Sequence, residues 1–259
     1  MNFIKIKSVF FLIAVLFTGN VSAQYNYDFS QFAEDSENII SKPFRWDKND
    51  LLTFGGLLAV TAGSILIDKD IKIWTNENDT YKNSFLFETG RFYGHVYFGA
   101  ALSGGFYMSG LVLNNNKFKK IGFELFETLL FTGLTTLVLK YSLGRERPTT
   151  TNDPYNFNPF SFKGFDFRSF SSGHATVAFS VSTVLAANIE NDFLKALVFV
   201  PAVLTSISRV YRNYHWASDV IAGSAIGYFI GSFVTSLHDK NKNVSVSISP
   251  ERIFIVYKF

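Results

Sequence analysis

The chain has 259 residues, enough for one domain with a substantial core. Hydrophobic residues make up 47% of it, including 30 Phe, which is more apolar than an average soluble domain and indicates contact with a membrane. The formal charge of +3 is too small to indicate nucleic acid as a partner, and the absence of Cys excludes disulfides, thiolate nucleophiles and Cys-ligated metals.

Residues 1–23 have the pattern of a secretory signal peptide. Lys5 and Lys7 form a positively charged start, residues 9–17 form a short apolar run, and small residues allow cleavage before Gln24. An uncleaved membrane anchor is the alternative. Because the apolar run is well short of the ~20 residues of a membrane span, we expect cleavage.

The rest of the chain predicts an all-α fold, a bundle of about six apolar helices around one site. Residues 24–50 are polar and aromatic and are expected to form an exported lead-in segment, and residues 51–240 are expected to form the helical domain. Only some of its apolar stretches reach the length of a membrane span. The stretches are residues 51–67, 94–113, 121–139, 174–189, 194–208 and 217–237.

The last apolar stretch, residues 217–237, carries Gly223, Gly227 and Gly231 at four-residue spacing. On a helix these glycines line one face and allow a neighbouring helix to approach closely. We therefore expect them to serve in packing.

The C-terminal tail, residues 241–259, alternates apolar and polar residues with the period of a strand. Pro250 and Glu251 separate two such runs, which predicts a short β-hairpin. A terminal Phe259 on an alternating strand is typical of outer-membrane proteins, but one hairpin cannot close a barrel.

Lys140 and Arg147 form the first of three clusters that carry chemistry. They lie seven residues apart, about two helical turns, so both can face the same side of a helix that Pro148 would end. Two cations at one helix end can hold the oxygens of a phosphoryl group. A pair of interfacial cations at a helix end is the alternative interpretation.

The second cluster is Ser172, Gly173 and His174, directly before an apolar helix. Ser is a good N-cap, Gly lets backbone N–H groups approach an anion, and a helix N-terminus favours negative charge. A histidine there can donate a proton to a leaving oxygen. An ordinary capped helix start is the alternative.

The third cluster is Arg209, His215 and Asp219. His215 and Asp219 are one helical turn apart, so the carboxylate can accept a hydrogen bond from one imidazole nitrogen and leave the other free to attack phosphorus. Arg209 would add a third cation. A salt bridge at a helix start is the alternative, since a carboxylate is favourable there.

With the three clusters in this order, each at the edge of an apolar helix, the chain resembles the type 2 phosphatidic acid phosphatase superfamily, which also includes bacterial acid phosphatases and vanadium haloperoxidases. The resemblance covers about residues 94–237. One departure is Ser171, where the family usually has Pro. Arg145 and Arg168 flank the motifs and are secondary candidates for contact with a polar head group.

The resemblance implies a role for each motif residue. His215 would be the nucleophile that becomes a phosphohistidine, Asp219 would orient it, and His174 would protonate the leaving group. The remaining motif residues would bind the phosphoryl group: Lys140, Arg147, Ser172, Gly173 and Arg209. No metal and no other cofactor are expected, because the cations supply the charge that Mg²⁺ supplies elsewhere.

The resemblance also implies a place in the bacterial cell envelope, with the site facing the periplasm, or a soluble periplasmic domain as the alternative. A cleaved signal would place Gln24 outside, and three full spans before Lys140 would then place the site in the cytoplasm. Either one early stretch does not span, with residues 51–67 the weakest candidate, or the domain is peripheral. The oligomeric state stays open.

The expected function is a metal-independent phosphatase of lipid phosphates, such as phosphatidate, an isoprenyl diphosphate or a lipid A phosphate. The apolar helices and the Phe-rich loop of residues 149–171 favour a membrane lipid as substrate. A periplasmic acid phosphatase of soluble phosphomonoesters is the second hypothesis. A vanadium haloperoxidase and a non-enzymatic membrane protein are further alternatives.

Overall fold

A bundle of antiparallel helices accounts for most of the computed structural model, which describes residues 26–82, 84–160, 164–239, 244–249 and 252–257. The expected all-α bundle of apolar helices is confirmed. The signal peptide predicted for residues 1–23 lies outside the described residues and stays a prediction.

The described residues form nine α-helices. Their bounds are α1 Phe29–Ser41, α2 Lys48–Glu77, α3 Phe85–Tyr93, α4 Val96–Val112, α5 Asn116–Leu143, α6 Gly173–Ala187, α7 Asp192–Val198, α8 Val200–Tyr211 and α9 Ala217–Leu237. The stretch predicted over residues 194–208 is divided between α7 and α8. The reason is Pro201, which lacks a backbone N–H and is favoured in the first turn of a new helix.

The helix α5 ends earlier than the spacing of the first cluster predicted. It stops at Leu143 because Gly144 adopts a left-handed conformation with φ of 56° and its N–H donates to the Lys140 carbonyl at 3.1 Å. A Cβ at Gly144 would lie 1.9 Å from the Asn158 carbonyl oxygen, so glycine is required for this turn. The chain therefore leaves the helix before Arg147.

Apolar side chains of α4, α5 and α6 form the core of the bundle. Leu102 and Phe106 of α4 pack with Ile121 and Leu125 of α5 and with Val181 of α6. Burial of such side chains, at roughly 25 cal/mol per Å² of apolar surface removed from water, favours association of these three helices. Two of these helices also carry motif residues: Lys140 lies on α5, and Gly173 and His174 lie on α6.

The glycines of α9 serve in packing, as the sequence predicted. A Cβ at Gly223 would lie 2.5 Å from the Ser172 carbonyl oxygen, and one at Gly227 would lie 2.4 Å from the Thr176 carbonyl oxygen. Gly231 also lies against α6. This close approach places the start of α9, with Asp219, directly against the start of α6, with the second motif.

The long helices alternate in direction, and the bundle has two ends. We define the motif end by Lys140, His174 and Asp219, and the opposite end by Lys119 and His238. The helix α5 runs from the opposite end to the motif end. The helix α9 runs back, from Asp219 to His238 at its C-cap.

The described chain begins at the opposite end, where the carbonyl oxygen of Asn26 accepts a hydrogen bond from Lys119. The helix α2 then runs to the motif end, where its Asp68 contacts Arg145. Thus α2 covers the full length of the bundle.

The helix α4 also runs from end to end. It begins beside the second motif, where the rings of His95 and His174 lie 5.7 Å apart, and it ends where Gly110 packs against the backbone of Lys119. Between Asn26 and the end of α5 at the motif end, three helices therefore run the length of the bundle: α2, α4 and α5. Asn26 and the motif end lie at opposite ends.

Among the described residues, four helical segments are long and apolar enough to cross a membrane: Lys48–Glu77, Asn116–Leu143, Asp192–Tyr211 and Ala217–Leu237. The expectation that residues 51–67 are the weakest candidate is wrong, because α2 is a continuous helix of 30 residues. Its apolar side chains are largely exposed, among them Leu52, Val60 and Leu66. An exposed apolar surface of this kind is typical of contact with lipid.

Two strands follow the bundle, β1 Val244–Ser249 and β2 Arg252–Tyr257, and they pair antiparallel with Val246 opposite Ile255. Residues 240–243 and 250–251 lie outside the described residues. Packing of the predicted hairpin tail, and the segment boundaries drawn from the sequence, stay predictions.

A membrane-crossing bundle predicts that its two ends face opposite sides of the membrane. The chain has no Cys, so single cysteines report without background. Thr149→Cys, exposed at the motif end, and Glu34→Cys, exposed on α1 at the opposite end, should react with a membrane-impermeant maleimide from opposite sides. Equal labelling of both in intact cells would show that the bundle does not cross the membrane.

Candidate active site

The three motifs converge at the motif end although they are far apart in sequence. Lys140 lies in the last turn of α5, His174 in the first turn of α6, and Arg209 in the last turn of α8. His215 lies in the loop before α9, and Asp219 lies in the first turn of α9. The described residues between α5 and α6, 144–160 and 164–172, lie over the cluster and supply most of its hydrogen-bond acceptors.

The side chain of Lys140 is held by backbone carbonyl groups of this loop. Its Nζ donates to the carbonyl oxygens of Arg168 at 2.8 Å and Ser171 at 2.6 Å, with Ser169 at 3.5 Å. A carbonyl is a neutral acceptor, so these contacts orient the ammonium group without cancelling its charge.

Arg147 is held in the same way, although it lies outside α5. Its guanidinium donates to the carbonyl oxygens of Tyr214 at 2.7 Å, Arg168 at 3.2 Å and Phe165 at 3.2 Å, and it lies 3.9 Å from the centre of the Phe165 ring. The expectation of a shared helix for the two cations is wrong, yet Lys140 and Arg147 meet at one carbonyl group. Burial lowers the pKa of Arg147 to about 10, so it stays charged at neutral pH.

His215 is almost fully buried, and its two ring nitrogens have different partners. Nδ1 lies 2.8 Å from the Ser169 carbonyl oxygen, which can only accept, so Nδ1 carries the proton. Nε2 is then the unprotonated nitrogen, and Arg147 Nη1 lies 3.3 Å from it. Burial lowers the pKa of His215 to about 3 against the opposing contact with Asp219, and Lys140 and Arg147 act in the same direction as burial. The imidazole is therefore neutral, with Nε2 facing the cations.

Asp219 does not accept the proton of His215 in the way that the sequence predicted. Its Oδ2 lies 3.7 Å from Nδ1, beyond hydrogen-bond distance, because His215 precedes α9 and the two residues do not share a helical turn. Instead Asp219 accepts hydrogen bonds from the Ser169 hydroxyl and from the Trp216 backbone N–H. Asp219 thus fixes the residue whose carbonyl group orients His215.

Arg145, a secondary candidate for contact with a head group, is fully buried, so that interpretation is wrong. Its Nη1 donates to Asp219 at 2.6 Å and its Nη2 donates to Asp68 at 2.8 Å. The Ser218 hydroxyl adds a second link between Arg145 and Asp68, since it accepts a hydrogen bond from Arg145 and donates one to Asp68. The network joins α2 to α9 beneath the site, and sequence reasoning missed Asp68, Ser169 and Ser218.

Arg209 is buried beside the loop of His215. Its Nη2 contacts the Ser208 hydroxyl at 2.9 Å, and the guanidinium lies 5.3 Å from the centre of the Tyr214 ring. Its Nε is buried and has no hydrogen-bond partner among the described residues. This N–H is therefore available to an acceptor that enters the site.

The second motif forms the start of α6. The hydroxyl of Ser172 accepts from the Ala175 N–H at 3.5 Å, as an N-cap does, and the Ser172 N–H donates to the Asp219 carbonyl oxygen at 3.0 Å. Gly173 is open on the side of its missing side chain, where the nearest atom would be 4.0 Å from a Cβ. The start of α6 can thus approach an anion.

His174 follows on α6 and is half-buried. Burial lowers its pKa to about 3, and the neighbouring charges of Arg209 and Arg147 add to the effect. His174 is therefore neutral before an anion enters. A bound anion would reverse part of the effect of the cations and favour protonation of this ring.

A family comparison identifies the region that holds these groups. Residues 122–243, which include all three motifs, match the PAP2 superfamily. This part of the chain belongs to the PAP2 superfamily.

Several individual proteins are similar to parts of the chain. The lipid A 1-phosphatase of Porphyromonas gingivalis is 34% identical over 94 residues, 36% of this chain and 18% of that protein. The undecaprenyl-diphosphatase of Sulfolobus acidocaldarius is 33% identical over 124 residues, 48% of this chain and 58% of that protein. The crystal structure of Aquifex aeolicus LpxE covers 58% of this chain and 83% of its own, with 24% identity and a TM-score of 0.44. The chain spans from 18% to 58% of the length of these two curated relatives.

The charges of this PAP2 site are distributed unevenly. Within the described part of the chain, Lys140, Arg147 and Arg209 have no carboxylate within salt-bridge distance. The nearby carboxylates of Asp68 and Asp219 both pair with Arg145. The three site cations therefore have no direct carboxylate partner, and together with Arg145, Asp68 and Asp219 they leave an excess of positive charge at the motif end that can attract a phosphate group.

Replacement of Arg145 by Ala should destabilise the protein strongly, because it leaves Asp68 and Asp219 buried without their partner. Removal of one member of a buried ion pair typically costs about 3–5 kcal/mol. The matched control is Arg91→Ala, which breaks an exposed pair with Glu88 and should cost about 0–1 kcal/mol. Thermal unfolding of the purified variants in detergent measures the difference, and equal melting temperatures would contradict the role given to Arg145.

Proposed function

We propose that the protein is a metal-independent phosphatase of membrane lipid phosphates that works through a phosphohistidine on His215. One observation carries the proposal. The unprotonated Nε2 of a buried, neutral histidine faces Arg147 at 3.3 Å, within a group of three cations that have no carboxylate partner. Such an arrangement suits attack on a phosphoryl group whose oxygens the cations hold.

Lipids are the favoured class of substrate. Relatives of the matched region are named lipid A 1-phosphatase, undecaprenyl-diphosphatase and probable lipid phosphate phosphatase 4. The described segments that are long and apolar enough to cross a membrane include α5, the segment of α7 and α8 together, and α9, and each of these has one terminus at the motif end. A lipid could therefore present its phosphate to the site while its chains stay in the membrane.

In the first step, the lone pair of His215 Nε2 forms a bond to phosphorus, and the bond from phosphorus to the lipid oxygen breaks. The Nδ1 proton stays on the ring, where the Ser169 carbonyl accepts its hydrogen bond and stabilises the positive charge that develops. Lys140, Arg147 and Arg209 stabilise the negative charge on the phosphoryl oxygens. Ser172 and the Gly173 N–H would bind the same group at the start of α6.

His174 would supply the proton that the leaving oxygen takes up. In the free protein its ring is neutral, so it must gain this proton as the negatively charged phosphate enters and offsets the surrounding cations. In the second step, a water molecule gives a proton back to His174 and attacks phosphorus, and the bond from phosphorus to Nε2 breaks. The products are the dephosphorylated lipid and inorganic phosphate.

Hydrolysis of soluble phosphomonoesters is the second candidate function, since the same phosphate-binding groups would serve it. The membrane-length helices favour the lipid substrate. Oxidation of halide with vanadate and a non-enzymatic role stay as outcomes of the test below.

We also propose that the site faces the periplasm. If the helices cross a membrane, Asn26 then lies on the cytoplasmic side, because it is at the opposite end of the bundle. A signal peptide cleaved before Gln24 is compatible with a periplasmic site only if the bundle does not cross the membrane. The single-cysteine experiment distinguishes the two arrangements.

The activity test is phosphate release by purified protein on phosphatidate, undecaprenyl diphosphate, lipid A and para-nitrophenyl phosphate, with a chelator present and folding verified. We expect turnover to survive the chelator and to be highest on a lipid. His215→Gln should lose at least about a thousandfold in rate, because no other group can form the covalent intermediate. Arg45→Ala, an exposed cation that contacts Asn38 of α1 at the opposite end of the bundle, serves as the control and should keep full rate.

A highest rate on para-nitrophenyl phosphate would favour the soluble-substrate alternative. Equal rates for the parent protein and His215→Gln would refute the phosphohistidine. Absence of release from any substrate by folded protein would place transport or binding first, and bromide oxidation with added vanadate would identify a haloperoxidase.

A further inference from the structure

A second cluster of titratable side chains lies at the opposite end of the bundle, where the phosphatase proposal does not use it. It consists of Asp35 on α1, Glu124 and Glu127 on α5, and His238 at the C-cap of α9. All four side chains are buried. Three carboxylates and one imidazole in a buried place are costly unless positive charge compensates them.

The two nitrogens of His238 face different carboxylates. Nε2 lies 2.9 Å from Asp35 Oδ2, and Nδ1 lies 3.4 Å from Glu124 Oε1. Glu124 is itself held by Asn188, whose amide donates to Oε2 at 2.7 Å, and by Lys120 at 3.5 Å. The imidazole is therefore fixed in orientation between α1 and α5.

Glu127 lies beside this group and is left without a partner. Its side chain is 0% exposed, and neither carboxylate oxygen has a hydrogen-bond partner among the described residues. Three possible ligand atoms lie within 4.8 Å of one another, one each from Asp35, Glu127 and His238. The buried carboxylate of Glu127 therefore lies close enough to Asp35 and His238 for the three side chains to bind one cation.

We propose that Asp35, Glu127 and His238 bind a divalent transition-metal ion. His238 would bind it through Nε2, which already faces Asp35, and its Nδ1, 3.4 Å from Glu124 Oε1, would carry the proton on the side of that carboxylate. This is the usual arrangement of a metal-bound histidine, whose second nitrogen donates to a carboxylate or carbonyl group. Glu127 then gains the positive partner that its buried oxygens otherwise lack.

The donor set points to Zn²⁺, Mn²⁺ or Fe²⁺. Imidazole binds these ions well and Mg²⁺ or Ca²⁺ poorly, and two carboxylates supply the remaining negative charge. The ion would join α1 to α5 and α9, so its role is structural. At 1.5 Å per residue, Glu127 is on the order of 20 Å along α5 from Lys140, so the ion takes no part in phosphoryl transfer.

Metal analysis of full-length protein, purified through a tag without histidine, tests this proposal. The protein is stripped with EDTA, incubated with Zn²⁺ or Mn²⁺, desalted and analysed by mass spectrometry for bound metal. We expect about one equivalent per chain and a melting temperature about 5–10 °C higher at a hundredfold excess over the dissociation constant.

Glu127→Gln keeps the shape of the side chain and removes its charge. We expect it to lose both the bound metal and the metal-dependent rise in melting temperature. Glu37→Gln, an exposed carboxylate on α1, is the matched control and should keep both. If Glu127→Gln does not fold, Asp35→Asn makes the same test.

Less than about 0.2 equivalents in the reconstituted parent protein would overturn the proposal, since a structural site of this kind binds tightly. The same holds if Glu127→Gln keeps as much metal as Glu37→Gln. Phosphatase activity is not the readout, so the outcome does not depend on the function proposed for the motif end.

Discussion

The buried contact of Arg145 with Asp68 and Asp219 is the interaction on which the site depends. It connects α2 and α9 across a separation of 150 residues between Asp68 and Ser218, and it places one guanidinium between two carboxylates. The desolvation of these charges is offset only because each carboxylate has several hydrogen bonds. Without this contact, Asp219 would be free to pair with the phosphate-binding cations.

Arg145 therefore has an electrostatic role that differs from that of the other cations. It pairs with the carboxylates of Asp68 and Asp219, and the site cations are held by neutral groups instead, Lys140 and Arg147 chiefly by backbone carbonyls. A positively charged, pre-oriented site results, in which a phosphate can replace water without a carboxylate competing for the same donors. Preorganised charge of this kind is an effective way to stabilise a phosphoryl transition state.

The sequence was sufficient for the long apolar helices, the three motifs and their convergence, but it did not predict α1 or α3. Apolar length predicted the bundle, and the four-residue spacing of Gly223, Gly227 and Gly231 predicted close packing against a neighbouring helix, which the structure shows to be α6. These features depend on local patterns, which a single sequence contains. The sequence alone was therefore enough to recognise the region that carries the three motifs.

The sequence was not sufficient for the details that depend on long-range contacts. The helical spacing of His215 and Asp219 predicted a direct hydrogen bond, but α9 begins after His215 and a backbone carbonyl takes that place. The spacing of Lys140 and Arg147 predicted one helix, but Gly144 ends it. Asp68 belongs to no motif, and only folding brings it to Arg145.

The most direct test of this account is to detect the phosphohistidine itself. His174→Ala, incubated with para-nitrophenyl phosphate and quenched under alkaline conditions, should accumulate a phosphoryl group on the peptide that contains His215. The nitrophenolate leaves without a proton from His174, whereas the second step lacks its proton acceptor. Mass spectrometry of the digested protein locates the group. A phosphoryl group on any other residue, or phosphate release with none on His215, would contradict the claim that a neutral His215 among uncompensated cations is the nucleophile.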